Sequence, residues 1–554
     1  MTEKSLPLGV ENFKVACSCY YVDKTMMLKT LVDLPLTSSL LISRPRRFGK
    51  SLALSMVEYF FSIEKGDPEL FKDKKIWNCG ESYRNQVKTS PVIRLCLKDI
   101  TVENYEEMIN QLTAEISSLY NSFAFKETAL SPSELKDIED LRNGNPSKPL
   151  LSKSLYLLTK FLSKTSQNPI LLIDEYDAII MSAKKKGFYD LTIDFFKSLY
   201  GAALKGNDYI RFALITGTSE ISKDSLFSGV NNLRVYSPFD NGFDDAFGFN
   251  QEEVESLLKA YELNEDIHTI QQYYGGYRFG DAVVFNPWSI LHFVDSGGKF
   301  KTYWSNTGSN DLIGDALNMS NDYVITALSK LLCGDLIETE VDPSVSFADI
   351  DKRPSGLFSI LVQSGYLTID DMLDFSRYAL RIPNKEIMEV FRKEIRDRYS
   401  NVGADSFGPD LRRAFLNGDA DTITDLFGRY ILSCFSYFDY PDFRNYQALV
   451  LGATAMIFDY AVVKNEVNAG LGRCDILVSP KDKSIPAFVI EVKHHDKTYS
   501  SERLKSSAKT AIRQIKKMQY VQELIRNGYH EIWLCGFAFK ETLVQVAMEK
   551  YGEE

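Results

Sequence analysis

A glycine-lysine-serine loop between two apolar runs constrains this chain more than any other feature. Residues 39–42 are predicted to form a buried strand, 43–51 the loop, and 52–57 the start of a helix. A loop in this setting favours bound phosphate, because main-chain N–H groups and the positive end of the helix dipole both attract anions. One position departs from the usual pattern: the glycine expected five places before Gly49 is Arg44. Judged on the tripeptide alone, the alternative remains that Gly-Lys-Ser is a chance match in a surface turn.

The loop supplies most of the residues that we expect to contact a nucleotide. Lys50 is expected to reach the β- and γ-phosphates, and the Ser51 hydroxyl to ligate Mg²⁺. The predicted binding residues of the loop are Arg44, Pro45, Arg46, Arg47, Phe48, Gly49, Lys50 and Ser51.

An acidic pair follows a second apolar run, at residues 169–177. Four aliphatic residues in a row predict a strand buried on both faces of a parallel sheet, and ligands bind at the carboxyl ends of such strands. We expect Asp174 to hold Mg²⁺ through water and Glu175 to orient or deprotonate the attacking water. An acidic strand end that caps the next helix is the alternative. The two motifs together predict an ATP site.

Hydroxyl residues end a further buried strand, predicted over residues 211–219. Thr216 is the candidate to contact the nucleotide there, as a sensor of the γ-phosphate. Strand ends are rich in Thr and Ser for other reasons too, so a structural role is equally compatible with this pattern.

Length and composition limit the class of protein. A chain of 554 residues needs two to four domains, and its 44% hydrophobic and 25% charged residues are ordinary for a globular protein. The net charge of -11 argues against a protein that coats nucleic acid through an overall basic surface. It allows a local basic groove, because phosphate contacts depend on local patches of charge. The start lacks a signal segment, and the longest apolar stretch, 448–457, is too short to span a bilayer. The 8 cysteines include no Cys-x-x-Cys motif, which argues against a zinc cluster and fits reduced thiols. Together these features predict a soluble cytoplasmic protein without a membrane partner.

The order of the predicted elements suggests several domains. Strands and helices alternate to about residue 240, which implies a doubly wound parallel sheet. Helical patterns then follow, with Asn250 and Glu253 at capping-box spacing. The polar residues 131–147 predict an insertion or a mobile loop. The predicted domains are 1–245, a helical and winged-helix-like region over 246–400, a helical linker over 401–435, and a last α/β domain over 436–554.

The last domain carries charged residues inside apolar strands. Residues 471–478 and 486–493 are predicted to form a hairpin that places Asp475 opposite Glu491. Glu491 and Lys493 are two apart and therefore share one face of a strand.

Two carboxylates and a lysine at one point can hold Mg²⁺ while the metal activates water against a phosphodiester. We predict Asp475, Glu491 and Lys493 as catalytic, with Glu466 as a further metal ligand. The structural alternative explains Glu491 by a pair with Lys493 or Arg473. On the helix predicted over residues 508–520 and its approach, several lysines suit a nucleic-acid backbone, although they equally suit a solvated face: Lys505, Lys509, Lys516 and Lys517.

Nearly the whole chain resembles bacterial AAA-ATPase-like proteins that end in a PD-(D/E)XK, or restriction-endonuclease-like, nuclease domain. In that family the arginine at position 44 looks like the usual form of the loop. The chain departs from the family at residues 443–447, where Glu and His are common in the family and absent here. The matching stretches are 21–25, 44–51, 172–177, 217–219, 231–233, 276–279, 286–289, 365–368, 382–384, 472–476, 491–493 and Gln514.

The sequence and this resemblance imply a P-loop NTPase sheet, a helical and winged-helix-like middle, and a restriction-endonuclease-like end. The expected function is an ATPase coupled to a Mg²⁺-dependent nuclease that acts on nucleic acid, most simply DNA. Two alternatives remain: an ATP-gated switch with an inactive nuclease fold, and a regulator that binds nucleotide without hydrolysing it. The number of copies stays open, a homo-oligomer among the options.

Overall fold

The computed structural model describes residues 5–98, 100, 102–218, 226–227, 230–304, 322–332, 334–343, 345, 354–400, 407–434, 443–458, 461–469, 472–496, 499–540 and 543–552. The chain divides into two compact units. Unit 1 comprises Met1–Trp304, Thr339–Tyr378 and Pro383–Glu386, and unit 2 comprises Ser305–Glu338, Ala379–Ile382 and Ile387–Glu554.

A parallel sheet of five strands organises unit 1. Its strands are β1 Ser38–Ser43, β2 Val92–Cys96, β3 Ile170–Asp174, β4 Phe212–Gly217 and β5 Leu233–Tyr236. They lie in the order β2-β3-β4-β1-β5 with parallel pairings throughout. Because β1 and β3 are both parallel to β4, the glycine-lysine-serine loop and the acidic pair both follow carboxyl ends at the same edge of the sheet. Only β4 separates the two strands, so the loop and the pair lie near each other. This confirms the predicted parallel α/β sheet.

Helices connect these strands and bury them. Every residue of β1, β3 and β4 is buried, as expected when a parallel sheet is covered on both faces. One large core joins Ile173 and Ile215 of the sheet to Leu158 and Leu199 of the helices. The helices are α1 Phe13–Ser18, α2 Met26–Val32, α3 Lys50–Phe61, α4 Glu81–Arg84, α5 Tyr105–Ser122, α6 Pro132–Arg142, α7 Lys148–Leu151, α8 Ser154–Thr165, α9 Ala178–Lys186 and α10 Tyr189–Leu204.

The prediction of a loop over residues 131–147 is wrong for most of that segment, because α6 occupies it. The Ser131 side chain accepts a hydrogen bond from the Glu134 main chain, and Glu134 reciprocates, so that a capping box starts the helix. Proline at the first helical position and apolar residues at 138 and 141, both buried, complete the signal. The polar composition concealed these cues.

From residue 251 to residue 400 of the chain, the described helices have 8 to 16 residues and the strands 3 to 5. The predicted capping box of Asn250 and Glu253 is confirmed at the start of α11. The two strands β6 and β7 pair with each other, and a separate small sheet has the order β8-β10-β9. The elements are α11 Gln251–Ala260, α12 Ile267–Tyr274, β6 Tyr277–Phe279, β7 Ala282–Val284, α13 Pro287–Asp295, α14 Asp322–Leu332, β8 Ile337–Glu340, α15 Pro354–Gln363, β9 Thr368–Met372, β10 Arg377–Arg381 and α16 Lys385–Ser400.

A mixed sheet in the order β11-β12-β13-β14-β15 organises unit 2. Strands β13 and β14 are parallel, and the other pairs are antiparallel. Its elements are α17 Phe407–Asn417, α18 Ala420–Cys434, α19 Phe443–Ile457, β11 Ala461–Ala469, β12 Gly472–Pro480, β13 Ala487–His494, α20 Leu504–Met518, α21 Gln522–Arg526, β14 Ile532–Lys540 and β15 Leu543–Lys550.

Helices pack on this second sheet through apolar residues. The buried side of α20 contributes Ile512 and Ile515 to a core that includes Val489 and Leu534 of the sheet. A separate aromatic cluster brings Phe415 of α17 against Phe488 of β13, with their rings edge to face. This packing buries β13, the strand that carries the predicted nuclease residues.

None of the helices in the described ranges is both long enough and apolar enough to cross a membrane.

A buried carboxylate in unit 1 fastens three main-chain and side-chain donors. Glu386 accepts hydrogen bonds from Ser289 Oγ at 2.7 Å, Tyr303 N at 2.6 Å and Trp304 N at 2.9 Å. Burial raises the pKa of Glu386 to about 7, against the opposing effect of these donors. The charged form is therefore less favourable in the folded chain than in the unfolded chain.

This carboxylate should make stability depend on pH. The pKa of Glu386 is higher in the folded state, so its stabilising contribution is complete below its ordinary value of 4.5 and lost as the pH rises through about 7. In Glu386→Gln, the free energy of unfolding should fall less between about pH 5 and pH 8 than in the wild type, by on the order of 2 kcal/mol. The thermal unfolding midpoint should therefore decline less steeply across that range.

Unfolding midpoints of the wild type and the variant across that pH range provide the measurement. Glu389→Gln, which changes an exposed carboxylate paired to Arg392, should keep the wild-type slope. Equal slopes in wild type and Glu386→Gln would contradict the assignment.

Candidate functional site

The loop between β1 and α3 has a left-handed backbone at two positions. Gly49 has a φ of 87° and Arg47 a φ of 70°, both in the left-handed region. A side chain at position 49 would meet no atom within 4 Å, so glycine is needed for its conformation rather than for space. Left-handed residues among right-handed ones are the conformation in which consecutive N–H groups can form a concave anion site.

Those N–H groups are the main feature of the site. Within the described ranges, the main-chain N–H groups of the seven consecutive residues 46–52 donate to no protein acceptor. The next N–H, that of Ala53, is the first to bond within the helix, to Gly49 O at 2.9 Å. A row of free donors at a helix start is a site for an anion.

Arg44 lies beneath this row rather than beside it. Its side chain is fully buried and donates to the main-chain carbonyls of Ser43 and Tyr236, both at 2.9 Å, and of Gly242 and Phe243, both at 3.4 Å. Burial lowers the pKa of Arg44 to about 10. The guanidinium therefore fixes the ends of β1 and β5 and shapes the loop from within.

The middle of the loop is anchored by aromatic rings. Phe48 is buried edge-on against Tyr277 and Phe279 of β6, with ring centroids 5.0 and 5.1 Å apart. The Arg47 guanidinium lies over Trp288 of α13, 4.1 Å from the ring centre.

The rest of the loop differs in exposure from residue to residue. Pro45 is buried, Arg46 is half-buried, and Gly49 is exposed. The predicted binding residues of the loop are thus brought together, but most of their side chains hold the loop's shape while its main chain stays available.

Lys50 is buried and folds back on its own loop. Its Nζ donates to Arg44 O at 2.9 Å and to Pro45 O at 3.1 Å. Burial lowers the pKa of Lys50, although the nearby carboxylates of Glu175 and Asp177 act in the opposite direction. The ammonium is held beside the free N–H groups, where it can reach an anion by exchanging these two carbonyls.

Asp174 ends β3 with one oxygen satisfied and one not. Its Oδ1 accepts from Thr216 Oγ1 at 2.8 Å, so the predicted γ-phosphate sensor orients this carboxylate. Its Oδ2 is buried and has no hydrogen-bond partner among the described residues. An unsatisfied buried carboxylate oxygen fits a cation ligand.

Glu175 follows in a left-handed conformation, with a φ of 52°. Burial raises the pKa of Glu175, Lys50 opposes this shift, and Asp177 and Asp174 reinforce it. The neighbouring Asp177 accepts from the N and Oγ1 of Thr218, at 3.0 and 2.7 Å, which joins the ends of β3 and β4. The strained backbone turns Glu175 out of the strand and toward the loop lysine.

Arg94 is a site residue that the sequence analysis missed. It lies in the middle of β2, and its Nη2 is 3.7 Å from Asp174 Oδ2 and 3.2 Å from Ser51 O. Its Nη1 is 3.3 Å from Glu58 Oε2. The available signal was a single arginine in the apolar strand 92–96, since a charge inside such a strand needs a partner.

The predicted hairpin in unit 2 has the expected register. Ile476 pairs with Ile490, which places Asp475 opposite Glu491. Asp475 Oδ2 accepts from Val492 N at 2.8 Å, and its Oδ1 accepts from Gln447 Nε2 at 3.4 Å. Gln447 is the second missed residue; it lies in the segment 443–447, where this chain departs from the family that it resembles.

Glu491, Lys493 and Gln514 form a closed triangle of polar contacts. Lys493 Nζ lies 3.0 Å from Glu491 Oε1 and 2.7 Å from Gln514 Oε1, and Gln514 Nε2 donates to Glu491 Oε1. Burial raises the pKa of Glu491 to about 7, and Asp475 adds to the rise. Glu491 Oε2 is buried without a hydrogen-bond partner in the described part of the chain.

Glu466, the predicted further ligand, belongs to β11. The pairs Asn465–Ile476 and Val467–Cys474 put its strand position opposite Asp475, while its side chain lies outside what the structure describes. Where the structure describes side chains, no three His, Cys, Asp or Glu residues form a ready metal cluster. Each of the two candidate sites instead offers one buried carboxylate oxygen without a hydrogen-bond partner among the described residues, Asp174 Oδ2 or Glu491 Oε2.

Two regions of the chain match known family models. Residues 7–227 match the family model described as predicted AAA-ATPase, and residues 444–549 match that of the PD-(D/E)XK nuclease superfamily. A protein of Azotobacter chroococcum mcd 1, described as an "Uncharacterized protein in vnfD 5'region", is 26% identical over 406 residues, which are 72% of this chain and 71% of that protein.

Solved structures give a weaker similarity. The Aeropyrum pernix ORC2 protein in ADPNP-ADP complexes matches with a TM-score of 0.32 at 10% identity, over 69% of this chain and 97% of that chain. Its ADP form gives 0.29 at 11% identity, over 68% and 93%. Scores this low carry no argument about fold or function.

The two family matches support an ATPase-like and a nuclease-like function, and the first of them implies nucleotide binding. The chain thus combines a region that matches the predicted AAA-ATPase model with a later region that matches the PD-(D/E)XK nuclease superfamily model.

Proposed function

We propose that unit 1 binds ATP with Mg²⁺ and hydrolyses it. The observation that carries this proposal is the row of free N–H groups over residues 46–52, which matches the needs of a polyphosphate. The anion replaces two carbonyls as the partner of Lys50, so the ammonium exchanges neutral acceptors for charged ones.

The cation is assigned to the Ser51 hydroxyl and to Asp174, directly or through water. Asp174 Oδ2 is buried and unsatisfied, and Thr216 holds the other oxygen, so the carboxylate is already oriented. Mg²⁺ would neutralise the charge on the β- and γ-phosphates and that developing in the transition state.

Glu175 is assigned as the base that orients the attacking water and takes its proton. Burial raises its pKa, which makes the carboxylate a better proton acceptor than an exposed glutamate. Its backbone conformation directs it away from the strand, toward the loop in which Lys50 lies. Asp177, already hydrogen-bonded to Thr218, is the less suitable of the two acids.

Two substitutions should separate binding from hydrolysis. Lys50→Ala should weaken ATP binding at least about tenfold, because the one ammonium placed at the loop is lost. Glu175→Gln should bind ATP as the wild type does and lower turnover by about 10²-fold or more, because shape is kept and basicity is removed.

The measurements are equilibrium ATP binding and phosphate release by the purified full chain. Lys65→Ala, which removes an exposed lysine paired to Glu58, serves as the control and should leave both unchanged. Wild-type affinity in Lys50→Ala would refute the loop assignment, and wild-type turnover in Glu175→Gln would refute the base.

We further propose that unit 2 carries a Mg²⁺-dependent nuclease site acting on nucleic acid, most simply DNA. Asp475 and Glu491 are the assigned ligands, with Glu466 as a third. Lys493, held by Glu491 and Gln514, is assigned to the water or to the charge developing on the phosphate.

The surface of α20 supports nucleic acid as the substrate. Its exposed side carries basic residues along its length, which suits a phosphate backbone. These residues are Lys505, Lys509, Arg513, Lys516 and Lys517. The cytoplasm is the proposed location, in keeping with the free thiols of the described cysteines.

One observation favours the alternative of an ATP-gated switch with an inactive nuclease fold. Both oxygens of Asp475 already accept hydrogen bonds, from Gln447 and from Val492. A neutral amide at position 447 adds no negative charge to attract a cation, so the site is less acidic than one with a carboxylate there.

Plasmid nicking distinguishes the two. Lys493→Ala should lower cleavage by about 10²–10³-fold, and Asp475→Asn should abolish cleavage together with metal binding. Neither should alter ATP hydrolysis, because both residues belong to unit 2 and Lys50 belongs to unit 1.

Nicking assays beside metal titration provide the test, with Lys481→Ala, an exposed lysine in the turn after β12, as the control for a general loss of positive charge. Cleavage that survives both substitutions would place the active site elsewhere. A wild type that binds ATP and cuts nothing with Mg²⁺ or Mn²⁺ would establish the switch.

A further inference from the structure

Arg94 lies among the residues of the proposed ATP site, yet the proposed chemistry assigns it no role. Its guanidinium joins three groups: Glu58 Oε2 at 3.3 Å, the Ser51 carbonyl at 3.2 Å and Asp174 Oδ2 at 3.7 Å. The last two belong to the residues assigned to Mg²⁺. A fixed cation therefore lies against the place where a second cation is needed.

The buried carboxylate explains why a cation is there. Asp174 is fully buried, and its Oδ2 receives no hydrogen bond. Among the described residues, Arg94 is the one cation within ion-pair distance of it. An uncompensated buried carboxylate is strongly unfavourable, so Arg94 stabilises the site when no metal is bound.

The other contacts of Arg94 show how it can yield. Glu58 is a buried acid that binds Arg94 on one oxygen and Lys65, at 2.6 Å, on the other. At 3.7 Å the contact with Asp174 is longer than a hydrogen bond, whereas the Glu58 and Ser51 contacts are shorter. The arginine can keep those two contacts while Asp174 turns to a metal ion.

We propose that Arg94 is a resident counter-ion for Asp174 that competes with Mg²⁺ and so sets the Mg²⁺ concentration at which nucleotide is held. This rests on the proposed assignment of Mg²⁺ to Ser51 and Asp174. Arg94 is a positioning residue, since it acts through Asp174 and through the Ser51 main chain.

The test removes the charge and follows the Mg²⁺ dependence of ADP binding rather than turnover. Arg94→Gln keeps a donor for the Ser51 carbonyl without the charge, and Arg94→Met keeps only the length of the side chain. In either variant the Mg²⁺ concentration for half-maximal binding of fluorescent ADP should fall about tenfold, because a competing positive charge is gone.

ADP affinity at saturating Mg²⁺ should stay within about threefold of wild type. That readout separates charge competition from damage to the fold, because damage would weaken binding at every Mg²⁺ concentration. Arg94→Lys, which retains a charge, should keep the wild-type Mg²⁺ midpoint. Lys65→Met, which removes the other partner of Glu58 at a distance from Asp174, should keep it too.

An unchanged or higher midpoint in Arg94→Gln would overturn the proposal, and if that variant does not fold, the same result in Arg94→Met would do so. A wild type that binds ADP equally well in EDTA and in Mg²⁺ would overturn both this inference and the metal assignment. A wild type that binds no nucleotide would overturn the proposed function as a whole. These outcomes are distinguishable from one another in a single titration series.

Discussion

The nucleotide site depends on one buried guanidinium. Arg44 has no exposed surface, and it remains charged inside the protein because four main-chain carbonyls accept from it. Those carbonyls belong to the ends of β1 and β5 and to residues 242–243, while the Arg44 main-chain N–H binds Gly217 at the end of β4. Arg44, which stands where similar loops have glycine, therefore has a structural role. It fixes three strand ends and leaves the following N–H groups unsatisfied.

Each unit repeats a simple electrostatic arrangement at its own site. A buried carboxylate presents one oxygen that is held by a donor and one that is not, and a cation lies nearby: Asp174 with Arg94 in unit 1, and Glu491 with Lys493 in unit 2. Such a group tolerates burial only with a counter-charge. The unsatisfied oxygen is therefore the point at which a metal ion adds most to the site.

Much of this could be predicted from the sequence, because the signals are local. Runs of four aliphatic residues specify buried parallel strands, and strand–loop–helix order specifies where the loop lies. The register of the β12–β13 hairpin followed from its length and placed Asp475 opposite Glu491. The roles of Arg44 and Arg94 could not be predicted, because their side-chain partners, apart from the neighbouring Ser43, are 36 to 199 positions away in the chain. The helix Pro132–Arg142 was missed for a different reason: its capping box was present, but the polar composition outweighed it.

The central claim is that the row of free N–H groups holds nucleotide phosphates for hydrolysis while the second unit cuts nucleic acid. One reaction tests it most directly: the purified full chain, Mg²⁺ and ATP with plasmid and single-stranded DNA, followed for phosphate release and for DNA cleavage together. The account predicts that phosphate release and DNA cleavage both occur in this reaction, and that each stops when Mg²⁺ is left out. A protein that retains no ATP and releases no phosphate, or one that cleaves neither form of DNA, would contradict it.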